Sequence, residues 1–215
     1  MCWGEGLVYG NQGITHHATE DIAIMRALPG MRVYVPGDAY EAEACLKDAY
    51  EYDGPAYIRL ARNKEQNFHT EANPIDINKI SPLSEAGKDI NILTAGSILC
   101  EGVKLRNILN KTGISAGIFS VPRVKPSDKT GIIKLALSSK ILLTLEEHQV
   151  IGGLGGEVAE IISGIKAPHA LLHRVGLNNQ FSDETGDQGY LRDFYGLSAE
   201  KLFPVVQDIL SGVMR

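Results

Sequence analysis

The stretch INILTAGSILCEGVKLRNILNKTGISAGIFSV, residues 90–121, reads as a strand over 90–94, a helix over 98–109 and a second strand over 116–121. The same alternation continues outward from it. A helix is expected over 129–137, a strand over 141–145, a helix over 158–165, a strand over 170–175 and a closing helix over 199–210. Strands separated by helices make a parallel sheet, and the right-handed crossover rule places the helices on both faces. Residues 89–215 are therefore expected to form a doubly wound, Rossmann-like α/β domain.

Upstream, residues 64–88 carry charge, Asn73-Pro74 and Ser81-Pro82 with little apolar period, which reads as a linker with at most short edge structure. Residues 31–35 form a short apolar run stopped by Pro36-Gly37, residues 40–50 have helical spacing with Asp38 as N-cap, and residues 55–60 return as a strand. That is one βαβ unit. Residues 1–12 are glycine-rich and contain no strand long enough to open a domain, so 1–63 is expected to be part of a parallel-sheet domain whose start lies elsewhere.

Composition narrows the function. A chain of 215 residues, 44% of them hydrophobic, can bury a real core, and a net charge of −5 argues against surfaces built for nucleic acid or anionic membranes. Three widely spaced cysteines, Cys2, Cys45 and Cys100, read as free thiols of a reducing compartment, with cytoplasm as the default. No apolar run approaches the ~20 residues of a membrane helix, and no targeting segment is visible.

The densest chemistry lies in GITHHATEDIAIMRALP, residues 13–29. His16 and His17 precede an apolar stripe of Ile22, Ile24, Met25 and Leu28, Glu20 and Asp21 sit where a helix dipole favours anions, and Pro29-Gly30 ends the pattern. Histidines at a helix entrance, beside free backbone N–H groups, suit a phosphate or a polar substrate oxygen. Arg62 ends a predicted parallel strand, where ligands of open α/β sheets gather, and an arginine there can grip a phosphate with two parallel hydrogen bonds. The run Gly152-Gly153-Leu154-Gly155-Gly156 fails the dinucleotide spacing, since Val158 stands at the third glycine position, and reads as a tight turn with close helix packing. Glu146-Glu147-His148 reads as a charged turn.

GITHHATEDIAIMRALPGMRVYVPGD (13–38), YIRLARN (57–63), LEEHQVIGGLGGEVAE (145–160) and RVGLNNQFSDETG (174–186) together resemble the transketolase family, which includes deoxyxylulose-phosphate synthases. The resemblance implies that 1–63 is the C-terminal part of a pyrimidine-binding domain, 64–88 a linker, and 89–215 the transketolase C-terminal domain, a non-catalytic dimerisation module. It places His16 at the substrate near the thiazolium ring as the catalytic candidate and Arg62 at the sugar phosphate. His17 matches the second histidine of a synthase-like THH pattern, and Gln12 stands where typical transketolases have an aspartate touching sugar hydroxyls. Thiamine diphosphate and Mg2+ are implied for the family, but its metal motif, GDG followed by Asn, has only two lookalikes here. Gly37-Asp38-Ala39 with Asn63 lacks a glycine, and Gly186-Asp187-Gln188 lacks the asparagine, so no metal ligand is expected. The family's activating glutamate and pyrimidine-stacking aromatics lie upstream of Met1.

The function implied is ketol transfer between sugar phosphates by a C-terminal portion or subunit, inactive alone, that works with a complementary N-terminal subunit or domain and self-associates. A deoxyxylulose-phosphate synthase-like fragment and a catalytically silent interaction module are the alternatives. A neighbouring reading frame that encodes the GDG motif and the glutamate separates the first reading from the last.

Overall fold

The computed structural model describes residues 1–62, 66–72 and 74–213. Its larger sheet is built from β4 (Ser81–Pro82), β5 (Ile90–Ala95), β6 (Ala116–Ser120), β8 (Ile141–Gln149) and β9 (Leu171–Leu177), in the order β4-β6-β5-β8-β9. All neighbours are parallel except the short edge pair β4 and β6. The chain leaves the central β5 to one side through α3 (Leu99–Lys111) to β6. It then crosses to the other side of β5 through α4 (Lys129–Ser138) and continues β8, α5 (Leu154–Ile162), β9, so the sheet is doubly wound as expected. Both faces are covered, which is why these strands read as apolar runs.

Alternate strand residues feed two cores. Ile90, Ile92, Ile118 and Leu143 pack with Leu99, Leu105 and Leu109 of α3 and with Leu202, Val206 and Leu210 of the closing helix α7 (Ala199–Val213). On the opposite face Leu93, Ala95, Phe119 and Leu142 pack with Ile132 and Leu135 of α4, Val158 of α5, and Ile22, Val33, Val35 and Tyr57 of the upstream segment.

The upstream segment holds β1 (Cys2–Trp3), α1 (Asp21–Ala27), β2 (Arg32–Tyr34), α2 (Ala39–Glu51) and β3 (Ala56–Leu60). Its sheet runs β1-β3-β2-β7, where β7 is Arg123–Lys125, a strand that pairs antiparallel with β2 and that the sequence reading did not expect. The β2-α2-β3 unit is parallel as expected, and Asp38 caps α2 by accepting the Glu41 N–H at 2.9 Å.

Two expectations need correction. Glu146, Glu147 and His148 are not in a charged turn: β8 runs on to Gln149 and buries all three. Each polar group has a distant partner that makes its burial tolerable. Glu146 accepts the N–H groups of Leu154 and Gly155 at 2.6 and 2.8 Å, Glu147 accepts Leu7 N–H at 2.9 Å and pairs with Arg192, and His148 Nε2 accepts Ala23 N–H at 3.3 Å. For the same reason α5 starts at Leu154 rather than 158, because the Glu146 carboxylate satisfies its first donors. A short helix, α6 (Gln188–Phe194), was also not expected; Asp187 caps it through Tyr190 N–H at 2.9 Å.

Candidate functional site

The carboxyl ends of β1 and β3 lie side by side. Trp3 pairs with Leu60, and the Leu60 carbonyl accepts the N–H groups of Gly4 and Glu5 at 2.8 and 3.1 Å. Arg62 follows two residues beyond the end of β3, is exposed, and lines a cavity of about 340 Å³ with Trp3, Gly37, Asp38, Ala39 and Asn67. The cavity thus opens where strand ends and the start of α2 converge, the usual position of a ligand in an open parallel sheet.

Beside it runs the glycine-rich loop. Two 3-10 turns, Gly10–Gln12 and Ile14–His16, are joined by Gly13 at φ +77°, a left-handed value that a glycine adopts without a Cβ penalty. Tyr9 stands at the centre. The His16 ring meets it edge-on with centroids 6.4 Å apart and planes at 66°, the Arg62 guanidinium carbon lies 5.2 Å from its centroid, and its carbonyl accepts Gln12 N–H at 2.8 Å. The Gln12 side chain is exposed, and His16 Nδ1 is 3.0 Å from Thr15 Oγ1. His17 points elsewhere: its Nδ1 is 3.2 Å from the Ser182 carbonyl, while its Nε2 is buried without a partner among the described residues.

The structure therefore brings His16 and Arg62 to one ring, ties the Gln12 backbone to the same residue with its side chain exposed, and turns His17 toward the C-terminal segment. It also corrects the placement of the histidines at a helix entrance. Ala18 is bridged to Gly6 through both backbone hydrogen bonds, at 3.1 and 3.0 Å, so the chain is still extended there and α1 starts only at Asp21. Asp21 in turn accepts Arg59 Nε at 2.9 Å and the Tyr57 hydroxyl at 2.7 Å, so it serves as an ion-pair partner. Tyr9 escaped the sequence reading. Its one available clue is that it is, with Trp3, one of two large aromatics inside a glycine-rich run, and is flanked by Gly4, Gly6 and Gly10.

Both aspartates of the metal lookalikes are caps. Asp38 also accepts Phe68 N–H, His69 N–H and His69 Nδ1 at 2.9, 3.0 and 2.8 Å; burial pushes its carboxyl up, but these bonds outweigh burial and hold it well below the usual range. Asn63 lies outside the described residues. Among the described residues no group of three or more His, Cys, Asp or Glu is set to hold a metal ion.

Of the Gly152–Gly156 run, Gly152 and Gly153 form a packed turn and Leu154, Gly155 and Gly156 open α5. Gly152 has φ +76° and a Cβ there would lie 2.6 Å from the Ala23 Cβ. The helix end that would receive a phosphate already holds Glu146. A second carboxylate fills the β5–α3 turn: Glu5 accepts Ser97 N–H at 2.6 Å, and Gly96, at φ +83°, leaves it room, since a Cβ would lie 2.6 Å from its oxygen.

These buried acids set a pH dependence. Burial pushes Glu5, Glu41 and Glu146 each up to about 7 from an ordinary 4.5, against the opposing Arg59 for Glu5 and against backbone N–H donors for Glu41 and Glu146. A folded chain that binds protons more readily than the unfolded one loses stability as pH rises from about 4.5 through about 7. His148 and His173, both depressed mainly by burial, work the other way below their ordinary 6.5 but are two groups against three. The urea midpoint is therefore expected to be higher at about pH 6 than at about pH 8; a midpoint that is flat or rises over that interval contradicts the assignment.

The family model described as "Transketolase, C-terminal domain" matches residues 78–202, and "Transketolase, pyrimidine binding domain" matches residues 3–66. The chain is 36% identical to the putative transketolase C-terminal section of Methanocaldococcus jannaschii, over 92% of this chain and 61% of that protein. It is 34% identical to a 6-deoxy-6-sulfo-D-fructose transketolase subunit of a Clostridium species, over 95% of this chain and 62% of that protein. To the 1-deoxy-D-xylulose-5-phosphate synthase of Pelotomaculum thermopropionicum it is 32% identical over 93% of this chain and 31% of that protein. Among solved structures, a split-gene transketolase described as an inactive beta4 tetramer superposes with a TM-score of 0.82 at 32% identity, covering 98% of this chain and 65% of that one. The chain thus spans about three fifths of the length of the first curated relatives it matches.

Proposed function

Since the chain belongs to the transketolase family, we propose that it is the C-terminal portion or subunit of a thiamine diphosphate-dependent enzyme that transfers a ketol unit between sugar phosphates. The observation that carries this reading is the meeting of Arg62 and His16 over the Tyr9 ring, beside a cavity at the carboxyl ends of parallel strands. In it residues 1–63 complete a pyrimidine-binding domain, 64–88 link, and 89–215 form the C-terminal domain.

Each site residue has a role its chemistry allows. Arg62 grips the sugar phosphate through its planar fork of donors. His16, exposed at the loop beside the Tyr9 ring, exchanges a proton or hydrogen bond with the substrate oxygen next to the reacting carbon. Gln12 offers an amide donor and acceptor to sugar hydroxyls without charge. His17 orders the loop through Ser182.

The residues of this chain do not fit the diphosphate and its Mg2+. Asp38 and Asp187, the acids that look like the family's metal motif, are spent on helix N–H groups. We assign that half of the site to a complementary subunit or domain, and place the assembled, self-associating enzyme in the cytoplasm. No described helix is long and apolar enough to cross a membrane.

The test is ketol transfer from xylulose 5-phosphate to ribose 5-phosphate, assayed with the 215-residue chain alone and mixed with the product of a neighbouring frame that encodes the diphosphate motif. Only the mixture is expected to be active. Turnover by the chain alone that disappears in an Arg62→Ala, His16→Ala double variant overturns the reading. The synthase alternative has its own assay in the same tubes, condensation of pyruvate with glyceraldehyde 3-phosphate, and would replace the transketolase reading if that activity alone appeared.

A further inference from the structure

We propose that Tyr9 is the positioning residue of this site: its ring face holds the Arg62 guanidinium, and its edge contact holds His16, at a fixed mutual spacing before any ligand arrives. The inference rests on Arg62 as the phosphate-holding group and adds the part that aims it.

The ring makes contacts of two recognised kinds. A guanidinium carbon 5.2 Å from the centroid is inside the ~6 Å range of a cation–π attraction. A 66° crossing with centroids 6.4 Å apart is an edge contact within the ~4.5–7 Å of aromatic pairs. Among the described residues Arg62 pairs with no carboxylate, and the ring holds its guanidinium from one side. An exposed arginine without such a contact loses rotamer freedom on binding, and a contact made beforehand removes part of that loss.

The ring is itself held in place by what flanks it. Gly4 has φ +98°, and a Cβ there would lie 2.1 Å from Tyr9 Cε2 and 2.4 Å from Cδ2, so the ring occupies the space a side chain at position 4 would take. Gly10, the next residue after Tyr9, packs on the Gly186 carbonyl, which a Cβ would approach to 2.3 Å, and its own carbonyl accepts Gly186 N–H at 3.3 Å. The Tyr9 carbonyl closes the 3-10 turn that carries Gln12. The Tyr9 hydroxyl makes no hydrogen bond among the described residues, which places the function in the ring rather than in the phenol.

That last point gives a test in which conservative and non-conservative variants diverge. Trp3 is the only tryptophan of the chain and lines the same cavity as Arg62, so its fluorescence reports binding there. In ribose 5-phosphate titrations of the full 215-residue chain, Tyr9→Phe is expected to bind as the wild type does. Tyr9→Leu is expected to bind about two- to fivefold more weakly, the loss of an exposed cation–π contact, and Arg62→Gln to abolish saturable binding. Tyr9→Met, with no π face, serves as a second variant should the leucine chain fail to fold.

A second readout needs no ligand. The Arg62 side-chain protons above the ring carry a ring-current shift in NMR spectra that Tyr9→Phe retains and Tyr9→Leu and Tyr9→Met lose. A shift that survives in the leucine or methionine variant, or equal affinity in those variants and the wild type, overturns the Tyr9 proposal. So does a loss in Tyr9→Phe as large as in Tyr9→Leu. Wild-type binding that Arg62→Gln leaves unchanged, or no saturable wild-type binding, overturns Arg62 as the phosphate holder instead, and the ring-current result then stands or falls by itself.

Discussion

Replacing His16 with alanine is expected to lower turnover of the assembled enzyme by about 10²- to 10⁴-fold, the usual contribution of a positioned proton-transfer group, with a much smaller change in KM. Arg62→Ala should do the reverse. Removing one side of a charge pair that becomes desolvated on binding costs about 2 to 5 kcal/mol, and because the phosphate is remote from the reacting carbon the loss falls mainly on KM. The two substitutions are therefore separable in steady-state kinetics of the reconstituted complex with each sugar phosphate varied in turn. A His16→Ala enzyme that keeps its kcat would remove the histidine from the chemistry. An Arg62→Ala enzyme whose kcat falls while KM stays put would place the arginine at the reacting carbon rather than at the phosphate.

The largest expected effect on stability lies deeper, at Arg59. It is 1% exposed, donates Nε to Asp21 at 2.9 Å, donates to the carbonyls of Ala18 and Glu147 at 2.6 and 2.9 Å, and lies 3.7 Å from Glu5. It thus ties β3, the loop before α1 and the end of β8 through one guanidinium. Arg59→Met keeps the bulk but leaves buried acids unpaired, and breaking a buried pair from one side costs about 3 to 5 kcal/mol. Urea unfolding with an unchanged m-value measures it. A loss below about 1 kcal/mol, the scale of surface pairs, would mean that water reaches the network. Adding Glu5→Gln to Arg59→Met should recover part of the loss, because one of the stranded charges is then gone.

Much of the fold is legible in the sequence because parallel strands buried on both faces show as apolar runs of strand length, as at 90–94 and 116–121, and because Gly, Pro and Asp punctuate the helices between them. What escapes is whatever depends on a partner far along the chain. Nothing near Glu146-Glu147-His148 announces a buried strand, since Glu147 is made tolerable by Leu7 and Arg192, and Glu146 by a helix that begins eight residues later. Strand β7 is three residues long and exists because β2 lies beside it. The site divides the same way. The strand-end position of Arg62 follows from a predicted strand, but its contact with Tyr9 depends on two glycines whose missing side chains make the room, and a glycine in a loop looks the same whether it bends the chain or clears a space.

The two acids that sit at the turns after β5 and β8 have a consequence for evolution and for inhibition. A sheet of this winding in a nucleotide-binding protein keeps such turns vacant for a guest's phosphates. Here the berths have permanent residents, the carboxylates of Glu5 and Glu146, so these two turns offer a nucleotide's phosphates no seat. The closed door can be reopened: trimming Glu146 to glycine or alanine would leave two unclaimed N–H groups at the head of α5, a socket sized for formate or acetate, through which an added small anion could restore what the side chain had supplied.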